Sequence, residues 1–185
     1  DKYNVKVTFF VTNTHPDYQN LIAEEAKRGH TVAIHSASHK YNQIYTSEQA
    51  FFDDLEQMNS IIKAQTGNDA SIIRFPGGSS NTVSKDYCPG IMTQLVNDVT
   101  ARGLLYCDWN VSSGDANNKP ISTEQVVQNV ISGVQSHNVS VVLQHDIKDF
   151  SVNAVEQIIQ WGQANGYTFL PLTTSSPMSH HRVNN

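Results

Sequence analysis

The sequence predicts a single α/β domain built on a parallel β-sheet, either open or closed into a barrel. Its 185 residues, 38% of them apolar, are enough to bury one sizeable core. Short β-branched and aromatic runs alternate along the chain with amphipathic stretches of helical period. Because each helix returns the chain to the start of the next strand, such alternation favours parallel strands covered by helices.

The first part of the chain predicts a strand, a helix and a second strand. Residues 5–11 form a strand-like run, and Pro16 suits the first turn of the helix that follows. Gly29 suits the left-handed residue just beyond a helix end, and residues 31–34 are typical of the next strand. The apolar side of this helix is formed by Leu21, Ile22 and Ala26.

The same alternation continues to residue 170. Residues 46–49 and 122–125 have the spacing of capping boxes, and the first opens a helix that stops at Gly67. About six strands and five helices are predicted in all. The later strands are expected at 71–75, 104–106, 139–143 and 167–170, and the later helices at 91–102, from 122, and at 152–164. Residues 173–185 are rich in Ser, Thr, Pro and Asn and predict a flexible tail.

Charge and hydropathy exclude several classes of partner. The net charge is −5 and no Lys/Arg cluster suits a phosphate backbone, so we expect no nucleic acid. No apolar run reaches the roughly 18 to 20 residues that cross a bilayer, so we expect no membrane span. The first residues do not have the basic, apolar and small-residue pattern from which a signal peptide would be predicted. Cys88 and Cys107 match neither a metal knuckle nor a redox pair, and both free thiols and a disulfide stay open.

Candidate functional residues follow the predicted strands, where parallel α/β sheets place their sites. His35 and His39 lie four residues apart, so one turn of backbone can direct both imidazoles at one metal ion. The alternative for such a pair is two solvated loop histidines. Residues 74–78, Arg-Phe-Pro-Gly-Gly, could expose backbone amides to a developing oxyanion, or could form an ordinary surface turn.

Two further strand ends carry candidates. Asp108 could orient a histidine and Trp109 could wall a groove, the alternative being a capping aspartate beside a core tryptophan. His145 could donate a proton or could be a structural histidine bonded to a loop carbonyl. Asp115, Asp146 and Asp149 suit caps and turns and are assigned no chemistry. The remaining histidines are expected to be solvated: His15, His30, His137, His180 and His181.

The motifs HSASH, RFPGG, CDWN and LQHD resemble, in order and in rough spacing, four of the five motifs of the polysaccharide deacetylases, carbohydrate esterase family 4. The opening YNVKVTFFVT is similar to that family's second strand. The resemblance spans nearly the whole chain. It implies a distorted (β/α) barrel that holds a divalent metal, usually zinc, and removes acetyl groups from cell-wall or chitin-like polysaccharides. It also implies an extracellular or surface-attached bacterial protein.

The resemblance also implies roles for individual residues. His35 and His39 would bind the metal, and the Gly77 amide would hold the oxyanion. Arg74 would tune the family's catalytic aspartate. His145 would protonate the leaving amine, with Asp108 raising its basicity. The groove for the acetyl group and sugar would be lined by Trp109, Leu143, Phe75 and Pro76.

The sequence departs from the family pattern at two places. Gly77 stands where many members have tyrosine. The family's first motif, an Asp-Asp strand end that supplies the base and third metal ligand, is expected before Tyr3, so residues 1–172 predict an incomplete barrel. We expect a missing N-terminal segment or a second chain to complete it. Asp53 and Asp54 lie in a predicted helix and are not a displaced copy. An inactive carbohydrate-binding domain and an O-acetyl esterase remain alternatives.

Overall fold

The computed structural model describes residues 1–116, 119 and 121–185. They fall into two compact units. The large unit comprises Lys6–Asp108 and Pro171–Asn185, and the small unit comprises Asp1–Val5 and Trp109–Leu170. The α/β class is confirmed, and every strand pairing among the described residues is parallel. Hydrogen bonds join these strands into a four-stranded and a two-stranded sheet.

The large unit contains the four-stranded sheet, in the order β1-β2-β3-β4. The strands pair in a register set by partners such as Phe10 with Ala33, Ile34 with Ile73, and Ile73 with Tyr106. Two short 3₁₀ helices, Pro16–Tyr18 and Val83–Asp86, occur between the main elements. Those elements are β1 (Thr8–Thr12), α1 (Asn20–Lys27), β2 (Thr31–Ser36), α2 (Tyr41–Ile44), α3 (Glu48–Thr66), β3 (Ile72–Ile73), α4 (Ile91–Ala101) and β4 (Leu105–Tyr106).

The longest helix, α3, supports the sheet of the large unit. Its apolar face repeats at helical spacing and is buried along its length. Gly67 ends it at φ 80°, the left-handed conformation that glycine adopts without steric cost. The N-cap is Ser47, whose hydroxyl accepts from the Ala50 amide, so the capping box predicted from Thr46 lies one residue too early. Thr46 instead donates its hydroxyl to the Gln43 carbonyl at 2.8 Å.

The small unit pairs its two strands in parallel and covers them with helices. Its elements are β5 (Val111–Ser112), α5 (Thr123–Gln135), β6 (Val142–Leu143) and α6 (Asp149–Ala164). The predicted cap Ser122 is confirmed, because its hydroxyl accepts from the Gln125 amide at 3.2 Å. The apolar faces of α5 and α6 form a buried cluster of Val126, Val127, Val130, Ala154 and Ile158.

One strand was missed in the sequence and one predicted strand is wrong. The strand β5 was not predicted, because two residues are too few to show alternation. The strand expected at 167–170 is not formed. The Tyr167 amide donates back to the Gly162 carbonyl, and Leu170 is 77% exposed. Residues with strand propensity form a strand only where a partner backbone pairs with them.

The C-terminal segment makes specific contacts within the large unit, which its composition did not predict. The Ser179 carbonyl accepts from the Asp108 amide at 2.7 Å, and the Asn185 carbonyl accepts from the Thr93 amide at 2.7 Å. Val183 packs against the core of the large unit. Among the described residues, no helix is both long and apolar enough to cross a membrane.

Candidate active site

The two histidines of the HSASH motif lie at the carboxyl end of β2. His35 belongs to the strand and His39 to the loop that follows, and their ring centroids are 5.0 Å apart. The Nδ1 atom of His35 lies 2.7 Å from the Arg74 carbonyl oxygen. Because a carbonyl oxygen can only accept, this bond assigns the proton to Nδ1 and the lone pair to Nε2, the arrangement typical of a metal-binding histidine.

The loop that carries His39 is held from α3. One carboxylate oxygen of Asp54 accepts from the Ser36 hydroxyl at 2.6 Å and from the Ala37 amide at 2.9 Å. The other accepts from the Ser38 amide at 2.8 Å. The Ser36 hydroxyl oxygen in turn accepts from the His39 amide at 2.8 Å. The loop is therefore bonded at each residue from Ser36 to His39.

The histidine pair fits part of a metal site. Two imidazole nitrogens suit zinc and other divalent transition metals. Among residues 1–116, 119 and 121–185, no group of three or more His, Cys, Asp or Glu side chains is placed to hold an ion. The pair could therefore supply two of the roughly three protein ligands that a catalytic zinc site ordinarily has.

The RFPGG motif forms a tight turn after β3. The Gly78 amide donates to the Phe75 carbonyl at 2.8 Å, and both glycines have positive φ, 80° at Gly77 and 79° at Gly78. Gly77 is exposed, and no described residue accepts from its amide. An exposed amide in a fixed turn can donate to a developing oxyanion. The sequence-based role of Gly77 is compatible with this geometry and stays a prediction.

Phe75 and Pro76 are buried in this turn. Phe75 has no accessible surface and lies against Phe51 and Tyr106, with ring centroids 5.4 Å away in each case. The prediction that Phe75 contacts substrate is therefore wrong, since a side chain without accessible surface cannot touch a ligand. Pro76 accepts a 2.7 Å hydrogen bond from the Tyr45 hydroxyl through its carbonyl oxygen. Phe75 and Pro76 therefore stabilise the turn, Phe75 by packing in the core and Pro76 by the hydrogen bond to Tyr45.

Arg74 is buried, not a solvated turn residue. Its guanidinium donates to the carbonyl oxygens of Cys107 at 2.8 Å and Asp108 at 2.9 Å, and lies 4.0 Å from the centre of the Phe10 ring. Burial lowers the pKa of Arg74 from its usual value, although the nearby Cys107 and Asp108 oppose this. Arg74 thus joins the ends of β3 and β4. Its predicted influence on a catalytic aspartate stays a prediction.

Asp108 does not orient His145 as predicted. Its buried carboxylate accepts from the Ser79 amide at 2.8 Å, the Ser79 hydroxyl at 2.5 Å and the His181 amide at 2.9 Å. It therefore ties the turn after β3 to the C-terminal segment. His180 and His181 are not simply solvated either, because His180 stacks on Tyr106 at 4.0 Å and His181 Nδ1 lies 3.0 Å from the Ser80 hydroxyl.

The carboxylate that orients His145 is Asp115, in the small unit. One Asp115 oxygen lies 2.8 Å from His145 Nδ1, and the other accepts from the His145 amide at 2.7 Å and the Ser151 hydroxyl at 2.6 Å. Lys148 donates to the Asp115 carbonyl oxygen. A carboxylate bonded to Nδ1 fixes the ring and leaves Nε2 as the nitrogen that exchanges protons with a ligand.

The ionisation of Asp115 also favours its pairing with His145. Burial raises the pKa of Asp115, but hydrogen bonds from His145 and Ser151 outweigh it and hold the pKa well below its usual value. The Asp115 side chain is 1% exposed whereas that of His145 is 36% exposed. An ionised buried carboxylate beside an accessible imidazole is an arrangement suited to acid catalysis. Trp109 and Leu143, predicted to line a groove, are partly exposed, and their roles stay predictions.

Sequence reasoning missed Asp54 and Asp115 as site residues. Asp115 follows β5, and β5 pairs with β6, the strand that leads to His145. Recognition of Val111–Ser112 as a strand would have placed both residues at one sheet edge. Asp54 carries no sequence signal of its own, because a carboxylate on a helix is ordinarily solvated. Cys88 and Cys107 are free thiols.

Fold and site together define a parallel-stranded α/β protein that presents a histidine pair for a metal and a carboxylate-bound histidine. The family model for polysaccharide deacetylases matches residues 1–88. The chain belongs to the polysaccharide deacetylase family, carbohydrate esterase family 4. Members of this family are generally metal-dependent.

Three relatives show how far the similarity extends. A peptidoglycan-N-acetylglucosamine deacetylase of Bacillus cereus is 28% identical over 91% of this chain and 60% of its own length. A bifunctional xylanase/deacetylase of Pseudobutyrivibrio xylanivorans is 28% identical over 94% of this chain and 26% of its own length. The chain therefore spans less than two thirds of each of these two proteins. The crystal structure of the catalytic domain of peptidoglycan N-acetylglucosamine deacetylase from Eubacterium rectale ATCC 33656 is 98% identical, with a TM-score of 0.99, covering 100% of this chain and 84% of that one.

Proposed function

We propose that this protein is a metal-dependent hydrolase that removes acetyl groups from N-acetylated sugars of peptidoglycan or a chitin-like polysaccharide. The observation that carries the proposal is the His35–His39 pair, held at the end of β2 with the His35 tautomer set by the Arg74 carbonyl. The Bacillus cereus and Eubacterium rectale relatives, both described as peptidoglycan N-acetylglucosamine deacetylases, support the substrate class.

His35 and His39 would hold the divalent metal, for which imidazole nitrogens favour zinc. When bound, such an ion polarises an acetyl carbonyl and lowers the pKa of water toward about 7. The exposed Gly77 amide would donate to the oxyanion of the tetrahedral intermediate. His145, oriented by Asp115, would carry a proton on Nε2 and release it to the leaving amine.

The general base and a third metal ligand would come from an Asp-Asp strand end, as the resemblance implies. Asp53 is exposed on α3, and Asp54 is committed to the histidine loop through three hydrogen bonds. Neither is therefore assigned the role of general base or third metal ligand. A segment preceding Tyr3 in the natural protein, or a second chain, would supply these two groups.

The metal site is tested by calorimetric titration of the natural full-length protein with zinc, because the third ligand is proposed to come from a segment preceding Tyr3 or from a second chain. We expect one ion per chain, and we expect His35→Ala to abolish its binding because one of two identified ligands is lost. His15→Ala is the matched control, since His15 is exposed and lies outside the site. Equal zinc affinity in the His35→Ala variant would show that the pair does not hold the metal.

The reaction is tested by acetate release from N-acetylglucosamine oligomers and from peptidoglycan, using the natural full-length protein. We expect both His35→Ala and His145→Ala to remove the activity, by at least about 100-fold for a lost proton donor. Unchanged acetate release would overturn the assignment. Binding of the oligomers without acetate release by the unsubstituted protein would instead indicate an inactive carbohydrate-binding domain.

An O-acetyl esterase acting on a xylan-type polymer is a second candidate. The Pseudobutyrivibrio relative, whose name joins xylanase and deacetylase, favours it. Parallel assays on acetylated xylan and N-acetylglucosamine oligomers separate the two, because an ester and an amide leave different groups to be protonated. Faster release from xylan would select the esterase.

We also propose that the protein works outside the cell or attached to its surface, because cell-wall and chitin-like polymers lie there. Fractionation of the natural host, followed by detection of the protein, tests this. Recovery only with the cytoplasmic fraction would contradict it.

A further inference from the structure

We propose that Asp54 is a positioning residue that fixes the His39 loop in its metal-binding geometry. The proposal rests on the proposed function in that it takes His35 and His39 as the metal ligands. Asp54 itself lies on α3 and follows the histidines by 15 residues or more in the sequence. It would touch neither metal nor substrate and would act through the loop backbone.

The first observation is that Asp54 uses both carboxylate oxygens on one short loop. Three donors converge on it: the Ser36 hydroxyl at 2.6 Å, the Ala37 amide at 2.9 Å and the Ser38 amide at 2.8 Å. Hydrogen bonds to an ionised acceptor are stronger than neutral ones. The Ala37 and Ser38 amides, which lie beyond the end of β2, thus donate to this carboxylate instead of to a neighbouring strand.

The second observation is the backbone conformation of His39. Its φ is 54°, one of two positive values found among the described non-glycine residues. A non-glycine residue in the left-handed region is strained and persists where surrounding bonds determine its conformation. Its amide is held by the Ser36 hydroxyl, which Asp54 fixes, so the bonds that determine this conformation lead back to Asp54.

The third observation is that Asp54 lies on α3, a long helix whose apolar face is buried. The same helix buries Phe51, Phe52, Leu55, Met58 and Ile62 in the core of the large unit. A support of this kind holds its carboxylate in a fixed place relative to β2, which carries His35. The distance between the two imidazoles is therefore set by a helix, although one of them lies in a loop.

The chain offers a matched pair of variants on this helix. Asp54→Asn keeps the shape but replaces one acceptor oxygen with an NH₂ donor, which then faces an amide or hydroxyl donor of the loop. Asp53→Asn changes the neighbouring carboxylate, which is exposed and accepts a hydrogen bond from the Gln49 side chain on the same helix. Both variants change net charge by the same amount, so long-range electrostatics cancel in the comparison.

The first readout is the zinc affinity of the natural full-length protein, measured by calorimetry. We expect Asp54→Asn to weaken binding by about 10- to 100-fold, the usual effect of losing a group that orients a metal ligand, with Asp53→Asn within about twofold of the parent. Asp54→Glu retains the carboxylate and should recover part of the affinity. Parent affinity in the Asp54→Asn variant, with folding verified by circular dichroism, would overturn the proposal.

The second readout needs no metal. Amide hydrogen exchange of Ala37, Ser38 and His39 in the metal-free chain should accelerate at least about tenfold in Asp54→Asn, while core amides of α3 keep their protection. Ser36→Ala should also accelerate exchange at the His39 amide. It is the substitute variant for this measurement if Asp54→Asn fails to fold. Unchanged loop exchange would overturn the proposal. If the full-length parent bound no zinc, the metal assignment would fail, while the exchange data would still decide the role of Asp54.

Discussion

At the scale of single residues, the site depends on backbone groups as much as on side chains. The Arg74 carbonyl sets the tautomer of His35, and the Ser36 hydroxyl holds the His39 amide. The Gly77 amide is exposed in a turn whose neighbouring residues are buried. Substitutions that change backbone conformation at these positions should therefore alter function even where no catalytic side chain is removed.

Gly77→Ala should be costly for two separable reasons. The residue has φ 80°, and a Cβ there would lie 2.7 Å from the Tyr41 hydroxyl oxygen and 3.1 Å from Asn81 Cβ. Gly67→Ala has the same φ of 80° but no atom within 4 Å of the added Cβ, so it isolates the conformational cost. We expect roughly 1 kcal/mol of destabilisation for Gly67→Ala and about 1–3 kcal/mol more for Gly77→Ala. Urea unfolding of both variants measures the difference, and equal losses would show that Tyr41 yields without cost.

The Asp115–His145 pair predicts a dependence of stability on acid. The pKa of Asp115 is lower in the folded chain than in the unfolded chain. Its ionisation therefore contributes stability above the unfolded pKa of about 3.9, and this contribution is lost as pH falls toward the folded pKa. Asp115→Asn should lower the free energy of unfolding at pH 7 by about 1–3 kcal/mol, because its buried donors lose charged acceptors.

Denaturant unfolding between pH 7 and pH 2 tests this prediction for Asp115. The difference in the free energy of unfolding between parent and Asp115→Asn should narrow below about pH 4, where Asp115 of the unfolded parent begins to protonate while the folded one stays ionised. Asp146→Asn is the control, because it changes the exposed carboxylate that directly follows His145 in the sequence. Its free energy of unfolding should match that of the parent at every pH. A difference that stays constant with pH would show that the pKa of Asp115 is not lowered by folding.

At the scale of elements, the sequence predicted those with long periodic patterns and missed the short ones. Helices α3, α4, α5 and α6 carry enough turns for their buried faces to repeat, and each was predicted. The strand β5 has only two residues, and its pairing with β6 is a tertiary event that no local pattern shows. The segment 167–170 has the composition of a strand without a pairing partner.

The same distinction explains how much of the site was predictable. His35 and His39 form a local motif, and their spacing together with the neighbouring motifs predicted them as metal ligands. The partner of His145 was assigned to Asp108 because Asp108 stands in a recognised motif, whereas the structure bonds His145 to Asp115. Which carboxylate reaches a histidine depends on strand pairing and loop path, and sequence separation of 30 residues gives no information about either.

At the scale of the whole molecule, each unit is assembled from separated parts of the chain. Asp1–Val5 belongs to the small unit, where Lys2 pairs with Glu156 at 2.6 Å. Pro171–Asn185 belongs to the large unit, where Thr31 donates to the Leu172 carbonyl at 2.7 Å and the Leu172 amide donates to the Thr8 hydroxyl at 2.7 Å. Neither unit is a continuous stretch of sequence, so its stability depends on segments distant in the chain.

Truncation after Leu172 should therefore destabilise the large unit, although residues 173–185 have the composition of a tail. The buried Asp108 carboxylate would lose the His181 amide, and Tyr106 would lose the stacked His180 ring. Loss of one donor to a buried charge costs about 1.5–3 kcal/mol, and loss of an aromatic pair about 0.5–1.5 kcal/mol. The truncated chain should unfold at a lower urea concentration by at least the sum of these two losses, because the contacts of Ser179, Val183 and Asn185 are removed as well.

His180→Ala in the full-length chain isolates the stacking contribution from the rest of this effect. It removes the ring that stacks on Tyr106 but keeps the backbone that brings the His181 amide to Asp108. We expect it to reproduce the smaller part of the truncation effect, since the charged hydrogen bond remains. If truncation left the urea midpoint and slope unchanged, the terminal segment would be a flexible tail in solution, as its composition predicts, and Asp108 would be satisfied by Ser79 alone.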